Sequence, residues 1–521
     1  MLALVGLTVA AATTACNPSR FPNPNGQAQD QAGFSVGIDS AFAIVGVPRS
    51  DTLQPNGGKA LIYRRSGNSW VLDATIVPGD PSHNADFGWS VGISGDRAIV
   101  GAFTHAELPY ITGAAYFFER VDGAWTEMAH FLGDSAQESG FGASVAISGD
   151  YAVVGAALPP PPTFAGPGRA FVYRRDSASG SWARDTILTA SDQIDFIEFG
   201  TSVAIDGDLI VVGAERGVKG GAVIGGAAYV FRRNGTTWSE EAKLTASDAA
   251  YHDFFGASVD VSGDRILVGA HEQDDEGDAA GATYVFTRNT STGVWSESQI
   301  LTPDHSNAGD NFGRAVAIDG GRALIGAWLA DGDESTTGAA YVYRMVGSWF
   351  ELADTLFRLD GEYGDGYGAA VALSGACGIV GAVNDDINDV PNVGSAFHYC
   401  GLPGPGPPEL ELDIICCVQI PDPAGPVIFT SRIVNRGQRT AIGRRWVESF
   451  RDDSTGAIVV GPTTLTVPPG DSVVQRHIVA RSAVTGGETL ALRWRDGGGV
   501  RARTIQRPLG DSSAVNARRS P

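Results

Sequence analysis

The sequence specifies an all-β chain, a seven-bladed β-propeller followed by a small immunoglobulin-like β-sandwich, and three observations carry that expectation. A segment of sixteen residues recurs seven times at near-constant spacing between residues 32 and 382. Each copy places period-two alternation of small and branched residues on both sides of a glycine turn, the pattern of a tight hairpin. Glycine reaches 69 of 521 residues while 43% of the chain is hydrophobic, so the chain is turn-dense and globular, with too much apolar content for disorder.

Residues 1–16 read as an export signal. MLALVGLTVAAATTA is uncharged and apolar or small, too short for a bilayer span of about 20 residues, and ends at Cys16. Thr13-Thr14-Ala15-Cys16 resembles a bacterial lipobox, which implies lipidation of Cys16; cleavage after Ala12, giving a freely secreted protein, is the other reading. Either places the chain outside the cytoplasm, in the cell envelope or secreted, with Cys16 its only link to a membrane. Residues 17–32, with prolines at 18, 22 and 24, read as a linker unsuited to strand pairing.

The repeats occupy residues 33–400. FGWSVGISGDRAIVGA (87–102), FGASVAISGDYAVVGA (141–156), FGTSVAIDGDLIVVGA (199–214), FGASVDVSGDRILVGA (255–270), FGRAVAIDGGRALIGA (312–327) and YGAAVALSGACGIVGA (367–382) are copies, and AGFSVGIDSAFAIVGV (32–47) is a degenerate seventh. Their first glycines, at 33, 88, 142, 200, 256, 313 and 368, lie 54 to 58 residues apart. Turns are expected at pairs such as Ser148-Gly149 and Asp206-Gly207. After the hairpin each unit continues into a third strand such as GAAYVFRR (226–233) and a fourth opened by tryptophan: Trp70, Trp125, Trp182, Trp238, Trp295 and Trp349 mark six such outer strands. Four-stranded units repeated about an axis make a propeller, with small residues at its crowded centre and tryptophan where the blades diverge. The seventh unit lacks an outer strand of this kind, and Glu409–Ile414 alternates well but belongs more naturally to the next domain.

Phe-Gly, the strand pair and Val-Gly-Ala together resemble the FG-GAP repeat, the blade of integrin α-subunit propellers and of many bacterial envelope proteins. The resemblance implies seven blades and an extracellular recognition role. It would also imply calcium loops in the first turns, but a two-residue turn cannot supply six to eight oxygens, so no metal or cofactor is carried over and Asp96, Asp150, Asp208 and Asp264 are assigned to the turns.

Gly401–Pro408 forms a proline- and glycine-rich linker at a break in charge: residues 1–406 hold 48 acids and 22 bases, residues 407–521 hold 11 acids and 15 bases. Regularly spaced short strands over 409–508 suggest the immunoglobulin-like sandwich. Val434-Asn435-Arg436-Gly437 and Pro469-Gly470 resemble adhesion-type modules of bacterial surface proteins. Residues 509–521 read as a disordered tail. Aligning the blades places Cys377 opposite Cys400 in an antiparallel pair and predicts a disulfide; the pairing of Cys416 and Cys417 stays open.

The net charge of −22 excludes a phosphate-backbone binder. Eight histidines are scattered singly, with no metal-ligand spacing, nucleophile elbow or phosphate loop among them. A sialidase is rejected as well: Gly235-Thr236-Thr237-Trp238 matches only the tail of the sialidase box, with Phe231 and Arg233 where its serine and aspartate belong.

The expected role is therefore non-catalytic recognition or adhesion, through a protein or cell-surface ligand, on the face where second-to-third-strand loops emerge. Those loops of blades five to seven hold eleven acids and no lysine or arginine: Glu272, Asp274, Asp275, Glu276, Asp278, Asp331, Asp333, Glu334, Asp385, Asp386 and Asp389. They form an anionic crescent able to steer a basic partner or share a weakly held divalent cation with it. The alternatives are an enzyme whose site is assembled across blades in the channel, to be betrayed by an axial cluster of Arg, Glu and Tyr, and a purely structural envelope scaffold.

Overall fold

The computed structural model describes residues 19–402 apart from short loop segments and, further on, the strands between residues 410 and 505. Two compact units make up the chain. The larger contains seven four-stranded antiparallel sheets. Six follow sequence order from first to outer strand, blade four for example being Phe199–Asp206, Leu209–Ala214, Ala227–Asn234 and Thr237–Leu244.

The turns fall one residue later than expected. Ser148 pairs with Tyr151 and Asp206 with Leu209, so Gly149-Asp150 and Gly207-Asp208 are the turn residues. Gly207 has φ 58°, as the first centre of a type II′ hairpin turn requires. Asp150, Asp208 and Asp264 each accept through their carbonyl from an arginine N–H at the end of the third strand.

The two glycines of the repeat lock neighbouring blades together. Gly213, in Val-Gly-Ala of blade four, lies so close to blade five that a Cβ there would stand 2.0 Å from the carbonyl oxygen of Gly256. That same carbonyl accepts a hydrogen bond from Ser202 Oγ at 2.8 Å. Ser35, Ser90, Ser144 and Ser258 make the equivalent bond to the next blade. A second set of links runs below: Asp39, Ser94, Ser148, Asp206, Ser262 and Asp319 each accept from the turn glycine N–H of the following blade.

Of the marker tryptophans, Trp70, Trp182, Trp238 and Trp295 are buried as expected, whereas Trp349 is 48% exposed and Phe350 is buried in its place.

Blade seven corrects one expectation. Its outer strand is the N-terminal segment Ser19–Arg20, Ser19 pairing with His398 and Arg20 with Phe397. Phe21 then donates its N–H to Ala396 O at 2.9 Å and is buried against Tyr63, 4.4 Å between ring centroids. An outermost strand needs hydrogen bonds on one side only, so prolines at its ends are tolerated. A separate, parallel contact follows at the entry to blade one, where the N–H groups of Gln29, Gln31 and Ala32 reach the Pro391, Asn392 and Val393 carbonyls. Cys377 and Cys400 are opposite one another and form the expected disulfide.

The smaller unit contains a three-stranded and a four-stranded antiparallel sheet. Leu410–Asp413 pairs there with Val427–Asn435 and so is a strand of this unit. Ala441–Phe450, which carries two arginines and a glutamate, was not anticipated as a strand; it pairs on both sides. Cys16, Cys416 and Cys417 lie outside the described residues.

Candidate functional site

The anionic crescent divides once its side chains are placed. Glu272, Asp274, Asp385 and Asp386 are described; Asp275, Glu276, Asp278, Asp331, Asp333, Glu334 and Asp389 lie outside the described residues. Glu272 sits beside His271, 3.9 Å apart. Asp274 and Asp386 occupy the same place in their loops and close them, accepting from Ala279 N at 2.8 Å and Asn392 N at 2.7 Å. Asp51 does the same in the loop of blade one, bonding Asn56 N.

Asp385 does not belong to the surface. It is 2% exposed, ion-paired with Arg358, hydrogen-bonded by Ser395 and 3.6 Å from Arg20 of the N-terminal strand. The reason lies in the loop's first turn, where Asp385 N bonds Ala382 O. The equivalent Ser50, Gln273 and Ala330 are bonded in the same way and are also buried. Counting charges along a loop cannot reveal which position turns under it.

A different constellation stands around the top of the innermost strands, at the mouth of the channel. It is built from the residues that follow Phe-Gly, near the start of the first strand, and Val-Gly-Ala, just past the end of the second. In blades four to six these hold Glu215, His271, Arg314 and Trp328, with Glu198 just before the first strand of blade four. Glu198 and Glu215 are hydrogen-bonded carboxyl groups; burial first, then Glu198, pushes Glu215 well above the usual carboxylate range. Arg216 is 3.1 Å from Glu198.

Arg314 is reachable by water but ringed by protein, as a group lining a channel is. Burial lowers its pKa and the charge of Glu215 opposes that. Burial, reinforced by Arg314, draws His271 down to about 4, so its ring is neutral at ordinary pH. His271 Nδ1 is buried without a hydrogen-bond partner among the described residues. Trp328 Nε1 donates to Asn311 Oδ1 at 3.0 Å.

Rings complete the mouth. On blades one and two Phe34, Trp89 and Phe103 are in contact, with centroids 4.3 and 4.5 Å apart. At blade five a strip of near-parallel rings runs from Tyr251 through His252 and Phe254 to His271, with centroid separations of 3.8, 5.7 and 5.6 Å. Tyr251, at its outer end, is 63% exposed. Deeper in the channel Asp260 interrupts the small residues of the first strands. It accepts from Ile318 N at 2.7 Å and Val261 N at 2.9 Å, and burial pushes its carboxyl up to about 7.

An axial cluster of Arg, Glu and Tyr is what an enzyme site in the channel would show; Arg314, Glu198 and Glu215 supply two of those three residue types at its mouth. Sequence reasoning missed it by examining the strands, which are indeed lined by small residues, and not the positions that follow Phe-Gly and Val-Gly-Ala. Comparing those positions across blades exposes it: Thr201, Ala257 and Ala369 are small, while Glu215, His271 and Arg314 are not.

The family model described as FG-GAP repeat matches residues 70–118, 125–173, 182–231, 238–286 and 295–343. No curated protein matches the chain. Among solved structures, the chain is similar to the β-propeller domain of the Trilobed protease from Pyrococcus furiosus, at 7% identity over 67% of this chain and 90% of that one, with a TM-score of 0.36.

Proposed function

This chain is an FG-GAP repeat β-propeller protein, and on that premise we propose that it is an exported, non-catalytic recognition or adhesion protein whose ligand meets the loop face of the propeller. One observation carries the reading. The frame beneath that face repeats almost unchanged from blade to blade, whereas the residues that follow Val-Gly-Ala at the channel mouth vary widely, with Phe103, Glu215, His271 and Trp328 among them, as a rigid platform that presents a particular surface requires. Lipidation at Cys16 accords with it. The second unit, with its two antiparallel sheets, is assigned to an immunoglobulin-like module.

The test is capture of ligand from envelope preparations and partner cells by the exported chain. A variant with Glu272, Asp274, Asp275, Asp331, Asp333 and Asp386 neutralised, and Asp385 left intact to preserve its ion pair with Arg358, separates a basic partner held by the crescent from one held elsewhere. Loss of capture at unchanged melting temperature assigns the crescent. Failure of the native chain to capture anything refutes the recognition reading.

The Glu198–Glu215 pair favours a second reading, an enzyme in which this pair gives or takes a proton from substrate positioned by Arg314. Turnover of any captured molecule that vanishes in Glu215→Gln would establish it.

A further inference from the structure

The loop that leads into each blade has one backbone form. The residue just before the repeat aromatic is left-handed: φ is 56° at Gln31, 50° at Asp86, 56° at Glu198, 54° at Phe254, 57° at Asn311 and 66° at Gly366. Two residues earlier the backbone is again left-handed, at Gln29, Asn84, His252, Gly309 and Gly364. In each described case the carbonyl of the residue before the aromatic accepts from the N–H three positions later, Phe254 from Ala257 just as Asn311 from Arg314. The frame is therefore shared, and at the other described positions its two left-handed places are filled by glycine or by flexible polar residues; Phe196, the blade-four counterpart of His252, lies outside the described residues. Blade five alone among the described loops places aromatic rings there. A bulky ring in this conformation is a strained choice that the fold does not require, which points to a role other than folding.

Those two rings are the middle of the strip from Tyr251 to His271, and the strip leads to the cluster of Glu198, Glu215 and Arg314. The exposed Tyr251 ring and the edges of the rings stacked behind it thus lead to a carboxyl pair, a guanidinium and a neutral imidazole whose Nδ1 has no partner among the described residues. A saccharide matches that alternation. Its C–H face packs on aromatic rings, and its hydroxyls each donate and accept, so they can satisfy carboxyl, guanidinium and imidazole groups together. We propose that the Tyr251–His252–Phe254–His271 strip is a saccharide-binding platform, with an oligosaccharide packed on the exposed Tyr251 ring and along the ring edges and its hydroxyls held at the channel mouth. The inference rests on the recognition reading and names its ligand class.

The experiment probes the full chain against a panel of immobilised neutral, amino and uronic oligosaccharides. The native protein is expected to bind at least one class, and the double variant His252→Gly/Phe254→Asn to bind it at least tenfold more weakly. Since those replacements suit left-handed backbone, the variant's melting temperature should stay level or rise, which separates lost binding from lost folding. Glu215→Gln should weaken binding while leaving the fold intact. Glycan binding that the double variant retains overturns the proposal, as does capture of envelopes by a native chain that binds no glycan; the recognition reading survives both outcomes. A native chain that binds neither glycans nor envelopes overturns both. Retention of peptides in place of glycans would assign the strip to a protein partner and also overturn the proposal.

Discussion

Gly207 and Gly213 stand six residues apart in one hairpin and are glycines for different reasons. Gly207 has φ 58° and open space around its absent side chain; Gly213 faces the Gly256 carbonyl and the Ser202 hydroxyl of its own blade, with no room for a methyl group. Gly207→Ala is expected to cost about 1 kcal/mol, the usual penalty of a left-handed alanine. Gly213→Ala should cost roughly 3 kcal/mol, because the obstacle is backbone of the next blade and cannot swing aside. Urea denaturation of both variants checks the order, and equal losses would contradict it. At this scale much was legible: the turn glycines and the Cys377–Cys400 pair followed from alignment alone. The direction of Asp385 did not, because burial under a loop depends on a turn that leaves no mark in composition.

Six blades were legible as elements because tryptophan and period-two alternation recur together, but the seventh was hidden by its composition. Its outer strand has two residues, no tryptophan, and prolines on either side, and it lies some 375 residues before the strand it joins. Length and propensity, the usual signals of a strand, were absent; only the missing partner of Ser395–Cys400 hinted at it. The element is held by Phe21, which takes the place filled by Leu188 or Leu244 at the end of other outer strands and is 3% exposed. Arg20 adds a cation–π contact to Phe397, whose ring Arg358 also meets. Phe21→Ala should lower stability by about 3–5 kcal/mol, in the range for deleting a buried aromatic side chain. Hydrogen exchange should then rise first in Ser395–Cys400. Protection there equal to that of the native chain would show that the segment does not hold the ring closed.

For the molecule as a whole, buried carboxyls set opposite limits on stability with pH. Burial alone would raise Asp73, but hydrogen bonds from Arg120, Trp125 and Arg64 hold it below the usual range; Glu241 is held down likewise by Arg232, Arg288 and Trp295. Their contribution is present above the unfolded carboxylate range of about 4 and is lost as pH falls below it. Asp260 and Glu215 are raised, so their contribution is complete below about 4 and is lost as pH climbs, for Asp260 through about 7. The melting temperature should therefore peak on the acid side of neutrality, and Asp260→Asn should flatten its decline between pH 5 and 8, roughly the span in which that carboxyl ionises. An unchanged slope would show that Asp260 is not the group responsible. Because Ser19–Arg20, made before every repeat, completes the last blade, the ring has no closed form until residues near 395 have been made. At roughly 5 to 20 residues per second that is about 20 to 75 seconds of synthesis. Throughout that interval blade one lacks its neighbour and the Phe21 segment lacks its strand, so the nascent chain exposes two sheet faces that the finished ring conceals. A messenger truncated before codon 395 should yield a product that aggregates or is degraded, however many intact repeats it encodes.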